Sequence, residues 1–155
     1  MRRLFLLLSH ILFFVSGVAA GIYVLPILIA EKPPLASAVL DIERSAMFRG
    51  EFRSNLPGSD LLHWGEGEVF VTAASIAHRG RLAPGPDYKL YLAPDFVEDE
   101  ASFLAIKEKS LRIGDVRGFS GFMLPVPAGV DVNQYTTVVI WCEGFGQFIT
   151  AAKYR

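Results

Sequence analysis

The stretch Tyr135-Thr136-Thr137-Val138-Val139-Ile140-Trp141-Cys142-Glu143-Gly144-Phe145-Gly146-Gln147-Phe148 holds the only cysteine of the chain inside its most strand-like run. Val138, Val139, Ile140 and Trp141 are β-branched or aromatic without interruption, so the segment reads as a mostly buried central strand that stops at Gly144. Side chains alternate along a strand, which sets Val138, Ile140 and Cys142 on one face and Val139, Trp141 and Glu143 on the other. A thiol that shares a face with Val138 and Ile140 points into the core.

Working outward, Phe148 to Lys153 reads as the neighbouring strand that completes the sheet, and Gly129 to Asn133 as a loop. Leu111 to Val116 looks like a strand, Gly118-Phe119-Ser120-Gly121 like a turn, and Phe122 to Pro127 like its partner strand, ended by proline. Asp95 to Lys109 is acidic first and basic later, with Phe96, Phe103, Leu104 and Ile106 interspersed. It predicts a short helix or an ordered loop with its charges in solvent. Tyr88 to Leu92 alternates, with Tyr88, Leu90 and Leu92 against Lys89 and Tyr91. Ala83-Pro84-Gly85-Pro86-Asp87 before it is the strongest turn signal in the chain. Asp87 in that turn is expected to accept backbone hydrogen bonds. Ile76 to Leu82, Val69 to Ala73 and Ala46 to Phe52 read as further strands, with a loop at Asn55 to Asp60. About eight short strands separated by Gly and Pro turns, without helical alternation, predict an all-β fold, an antiparallel sandwich or barrel.

The chain has 155 residues, 52% hydrophobic and 20% charged, with a formal net charge of -1. That excludes a disordered or strongly basic protein and gives no electrostatic reason to expect nucleic acid as a partner. The mean hydropathy of +0.36 is high, and the excess lies at the amino end. Arg2 and Arg3 precede an apolar run from Leu4 to Ala30, broken among polar side chains only by Ser9, His10 and Ser16. At ~1.5 Å per residue, the part up to Leu25 alone spans roughly 33 Å as a helix, enough to cross a hydrocarbon core of about 30 Å. Val18-Ala19-Ala20 resembles a signal-peptide processing site, but cleavage there would leave Ile22 to Ala30 as a second exposed apolar segment, so an uncleaved signal anchor is the better reading.

With Arg2 and Arg3 as the only basic residues before the membrane, the amino end stays in the cytoplasm and the rest is exported to the periplasmic or extracellular side. His10 reads as a neutral residue hydrogen-bonded within the helix. Glu31-Lys32-Pro33-Pro34 ends that helix, and Leu35 to Ile42 is ambiguous between a helical turn and an extended tail. The organisation expected is therefore an anchor over residues 1–30, a linker over 31–45 and a β domain over 46–155.

Several chemistries are missing from the sequence. Gly114 to Gly121 lacks the lysine and following helix of a phosphate-binding loop, and there is no Gly-x-Ser-x-Gly elbow. One cysteine allows no internal disulfide, no Cys-x-x-Cys pair, no covalent c-type haem attachment and no Cys-rich zinc site. His63 and His78 could join Cys142, Met123 or a carboxylate at a metal or haem, but their spacing does not demand it. A loop histidine such as His63 is ordinarily solvated. Met123 and Trp141 read as core.

Three motifs resemble the DM13 family of electron-transfer domains. They are Gly85-Pro86-Asp87-Tyr88-Lys89-Leu90-Tyr91-Leu92, the Gly118 to Pro125 hairpin, and above all Val139-Ile140-Trp141-Cys142-Glu143 with Phe145, Phe148 and Ala151. The resemblance runs from about Ala46 to Arg155. It implies an all-β domain whose cysteine works in a redox step, as a free thiol or by holding a prosthetic group such as haem, and so names Cys142 as redox and cofactor-binding residue. Ser120 and Phe122 stand where the family tends to place polar and tyrosyl residues. A lone thiol cannot cycle through a disulfide within its own domain, so electron transfer requires a bound cofactor or the sulfur of a redox partner protein. The expected function is a membrane-anchored extracytoplasmic electron-transfer module rather than a stand-alone enzyme. The rival is a non-catalytic adhesion or scaffold module in which Cys142 only packs, and an intermolecular disulfide is a third use of the thiol.

Overall fold

The computed structural model describes residues 1–155. Helix α1 spans Arg2–Leu28 and helix α2 Ala36–Ser45. Strands β1 (Phe48–Phe52), β2 (Gly65–Val71), β3 (Ser75–Leu82) and β4 (Tyr88–Ala93) follow. Helix α3 (Glu100–Ile106) then precedes β5 (Leu111–Val116), β6 (Phe122–Pro125), β7 (Thr137–Cys142) and β8 (Gln147–Lys153). The strands form two four-stranded antiparallel sheets, ordered β1-β2-β3-β6 and β5-β4-β7-β8, packed as a sandwich.

The alternation of the sequence decides which side chains fill the space between the sheets. Val69, Val71, Ile76 and Leu82 from the first sheet meet Leu90, Leu92, Val138, Ile140 and Ile149 from the second in one continuous cluster, joined by Tyr88 and Cys142. The opposite faces are also covered. Phe70 and Ala77 lie beneath Val39 and Ile42 of α2, while Tyr91, Val139 and Trp141 lie beneath Phe103 of α3. All six residues of β7 and all six of β4 are consequently buried, as an unbroken apolar run demands of a strand covered on both sides. Where alternation fails, a bulge accounts for it. Ile140 pairs with Thr150 but Trp141 with Phe148, so Ile149 is the extra residue and turns into the core.

The segment left ambiguous at Leu35 to Ile42 is helical in α2. Its residues Val39 and Ile42 recur at helical spacing and, with Ala46 just past its end, pack on the first sheet. Glu43 from the same helix pairs with Arg79 at 2.5 Å, and Arg79 pairs with Glu68 at 2.5 Å. The ambiguous segment at Asp95 to Lys109 forms α3, capped by Asp99, whose carboxylate accepts from the Ser102 amide at 2.8 Å. One pairing expected from sequence is overturned. Phe122–Pro125 is not the partner of Leu111–Val116. It joins β3 in the other sheet, with His78 opposite Phe122, because the Gly118 to Gly121 segment carries the chain across the sandwich rather than back on itself. Met123, read as core, is 44% exposed, since β6 is an edge strand.

Helix α1 is long and apolar enough to cross a membrane, with a mean hydropathy of 2.3 over its best window. His10 Nδ1 donates to the Leu6 carbonyl at 2.6 Å, which satisfies the ring within the helix as expected. The helix runs through Pro26, its one buried residue. Ala19, Ile22, Tyr23 and Pro26 recur at helical spacing on one side and border the β domain. Glu31, just beyond, fixes the exit of the chain. Its amide donates to the Arg117 carbonyl at 3.0 Å, and its carboxylate lies 3.8 Å from the Arg117 guanidinium.

The β2–β3 register contains a close approach that only glycine tolerates. Gly67 sits opposite Gly80, and a Cβ on Gly80 would stand 2.0 Å from the Glu66 carbonyl oxygen and 2.7 Å from His78 Nε2. The Gly80→Ala variant is therefore expected to lose about 1–3 kcal/mol of stability, measured by equilibrium denaturant unfolding of the full chain in detergent. A midpoint equal to that of the wild type would show that this register is not what holds the two strands.

Candidate functional site

The central ladder of the second sheet places Tyr88 opposite Cys142 and Lys89 opposite Trp141. Beyond the last pair, the Glu143 amide donates to the Asp87 carbonyl at 3.0 Å, so the Gly-Pro-Asp turn before β4 is held against the end of β7. The two motifs that are farthest apart in sequence thus form one site. Gly85 is required for it, because a Cβ there would stand 2.4 Å from the ring and hydroxyl of Tyr88. Its absence lets the phenol lie across the turn.

Cys142 is a free thiol, 3% exposed, with Val138 and Ile140 on its face of the strand. Burial pushes its pKa above the ordinary thiol value. The backbone amides of Phe145, Asp87 and Gly144 pull the other way without prevailing. The thiol is therefore protonated at neutral pH, unlike the depressed thiolates of reactive cysteines. Tyr88 is also 3% exposed, and burial raises its pKa. Tyr91 donates its hydroxyl to Glu143 and Tyr154 to the Val132 carbonyl, whereas the Tyr88 hydroxyl has no partner in the protein.

Both groups border a cavity of about 220 Å³ between the β domain and α1. Its remaining walls include Ile22 and Tyr23 from the helix, Phe145 from the β7–β8 turn, and His63. His63 is not the solvated loop residue that the sequence suggests. Asp60 accepts from the amides of Leu62 and His63 at 2.7 and 2.8 Å, and its other oxygen lies 2.9 Å from His63 Nδ1. These bonds hold Asp60 below the usual carboxylate range, the His63 ring contributing most, and leave Nε2 of the ring without a partner. His78, by contrast, belongs to the core. It is fully buried between Phe52 and Phe122, with Nε2 donating to the Glu66 carbonyl at 3.0 Å. Burial lowers its pKa to about 4, so the ring is neutral.

The other face of the same strand carries charge. Glu143 accepts from the Tyr91 hydroxyl and pairs with Lys107 at 2.8 Å. The Lys107 ammonium stands 5.1 Å from the centre of the Trp141 ring and 5.7 Å from that of Tyr91. Burial would raise the Glu143 pKa, but Lys107 and Tyr91 outweigh it and hold the carboxyl below its ordinary value. Of the charges expected in solvent along this segment, Asp95, Glu98, Glu100, Glu108 and Lys109 are exposed, and Lys107 is the one turned onto the sheet. Trp141 is core, as expected, at 1% exposure.

A haem is among the groups that the sequence resemblance implies for Cys142. The cavity of about 220 Å³ is smaller than the ~300–1,000 Å³ of pockets that take drug-sized ligands. The space beside Cys142 is too small to take a haem.

Asp87 does not serve its own turn as expected. Its carboxylate pairs with Lys89 at 2.5 Å, and Lys89 also reaches Asp115 at 3.0 Å. Asp115 further pairs with Arg112 at 2.7 Å and Arg117 at 3.3 Å. Arg112 and Lys89 together lower the Asp115 pKa from 3.8 to about 2. A carboxyl whose folded pKa is depressed contributes stability above its unfolded value and loses it as pH falls through the folded one. Stability should thus decline as pH drops from about 3.8 towards about 2. Asp115→Asn should flatten that decline, as read from unfolding midpoints at a series of pH values.

Residues 51–154, well over half of the chain, match the family described as "Electron transfer DM13". No curated protein and no solved structure matches. With the Tyr88 and Cys142 motifs joined at the end of a β-sandwich, and with the match running through both sheets, the chain belongs to the DM13 family of electron-transfer domains.

Proposed function

We propose that this chain is a membrane-anchored, extracytoplasmic electron-transfer domain in which Cys142 is the redox group. The anchor is α1, retained as an uncleaved signal anchor over residues 1–30, with Arg2 and Arg3 holding its start in the cytoplasm. Residues 31–45 connect it to a β domain over 46–155 that lies in the periplasm or outside the cell. The observation that carries the redox assignment is the position of the sole sulfur at the wall of the cavity under α1, at the meeting point of both family motifs.

Electrons cannot leave a lone thiol by way of an internal disulfide, so a second group must meet it, either the sulfur of a partner protein or a carrier lodged in the cavity. A protonated thiol exchanges slowly, and its reactivity grows as pH approaches the raised pKa. The domain is then a slow and selective donor rather than a general thiol reductant.

The burial of Cys142 among Val138, Ile140 and Ile149 favours a second reading, a non-catalytic envelope module whose thiol only packs. The two are separated by reacting the full chain in detergent with glutathione disulfide and with maleimide, folded and unfolded. The redox reading expects mixed-disulfide formation in the folded state, at a rate still rising above pH 9, and no Soret band in the visible spectrum. A thiol that reacts only after unfolding, with Cys142→Ala costing stability but no exchange activity, establishes the packing reading instead. For the topology, a protease added outside intact cells should remove a carboxyl-terminal tag. Protection of that tag would place the domain in the cytosol and end the proposal.

A further inference from the structure

We propose that the cavity under α1 is a binding site for the ring of a lipid-soluble quinone, entering from the outer membrane interface with Tyr88 as hydrogen-bond donor to a ring carbonyl. The inference deepens the function proposed above and rests on its reading of α1 as a membrane span.

The depth of the cavity follows from helix geometry. About 20 residues at ~1.5 Å each cross a hydrocarbon core of about 30 Å, and counting from Leu4 that span ends near Tyr23. The helix residues that wall the cavity, Ala19, Ile22 and Tyr23, therefore lie at the outer boundary of the bilayer, where tyrosine is favoured. The β domain presents apolar side chains at the same level. Leu61 is 95% exposed, and Leu62 and Phe145, both at the cavity wall, are each 57% exposed. In water, two such side chains at one opening, with Leu61 next in the chain, are unfavourable. At a lipid surface they seat the opening among acyl chains.

The chemistry of the walls selects the occupant. A dry apolar cavity of about 150 Å³ takes benzene, so about 220 Å³ admits one substituted six-membered ring with its tail left in the membrane. An acyl chain alone would satisfy the apolar walls but leave the Tyr88 hydroxyl unpaired. The Tyr88 side chain is 3% exposed, and its hydroxyl makes no hydrogen bond within the protein and borders the cavity, where it is free to donate to an occupant. A quinone carbonyl supplies the missing acceptor. The Asp60–His63 pair places a second polar ring at the same wall, which fits an occupant with oxygens at opposite ends of its ring. Cys142 stands beside that ring.

The test uses the full chain in phosphatidylcholine nanodiscs with decylubiquinone as probe and thermal unfolding as readout. A saturable rise in Tm is expected, and Leu104→Ala, at an exposed side chain of α3 outside the cavity, should retain it. Tyr88→Phe keeps the ring and removes the hydroxyl, and should weaken the apparent affinity about five- to tenfold. Ala19→Trp, which fills the cavity from the helix side, should abolish the shift. No saturable shift for the wild type overturns the inference, as does an equal shift with squalene, which would mark an apolar lipid slot. Exchange of Cys142 with glutathione disulfide in the absence of any quinone effect would sink this inference alone and leave the redox reading standing.

Discussion

The pairing of β4 with β7 is the constraint on which the rest of this molecule depends. It is the central ladder of the second sheet, and its register decides that Tyr88 faces Cys142 and that Lys89 faces Trp141. A slip of one residue would exchange the faces of a whole strand, carrying Cys142 to the face covered by α3 and Trp141 into the space between the sheets. Two devices oppose the slip. Both strands are buried on both faces, so every residue of each is committed to one side. The Glu143 amide is also fastened to the Asp87 carbonyl just past the last pair, which ends the ladder at a fixed point.

That register divides the chemistry of one strand between two environments. On the inner face the sulfur of Cys142 is desolvated and stays protonated. On the outer face Glu143 is kept ionised by Lys107 and the Tyr91 hydroxyl, within an aromatic cluster of Tyr91, Phe103 and Trp141. Adjacent residues on one backbone thus hold opposite protonation preferences, the thiol through burial and the carboxyl through its partners. The ammonium over Trp141 fixes α3 to this face, and so connects the helix to the strand that carries the sulfur.

Much of this was legible in the sequence because the signals were local. The unbroken run at Val138 to Trp141 and the alternation at Tyr88 to Leu92 each specify a strand and its faces without reference to anything distant, and both are found as read. What failed were inferences about partners. Phe122 to Pro125 has strand composition, but nothing in it says whether it pairs with β5 or with β3, and proximity in sequence pointed to the wrong neighbour. His63 looked like any loop histidine, because its significance comes from Asp60 three residues earlier and from a helix forty residues away. The Asp-x-x-His spacing was the one clue available. Tyr88 was placed on its strand correctly, yet its missing hydrogen-bond partner is a fact of packing that no pattern encodes.

A long apolar helix at the amino end could serve only to span a bilayer. Its last turns do otherwise here. Ala19, Ile22, Tyr23 and Pro26 share one face and complete cavities that the β domain leaves open, and Glu31 with Arg117 fixes the angle at which the chain leaves the helix. A flexible tether would let the domain tumble and would leave Tyr88 and Cys142 at the rim of an open groove facing water. With α1 in place, Cys142 and Tyr88 border a cavity whose walls include Ile22 and Tyr23 of the helix and the exposed apolar side chains Leu62 and Phe145 of the β domain. The surroundings of the thiol are thus set as much by the apolar face of α1 as by the β domain.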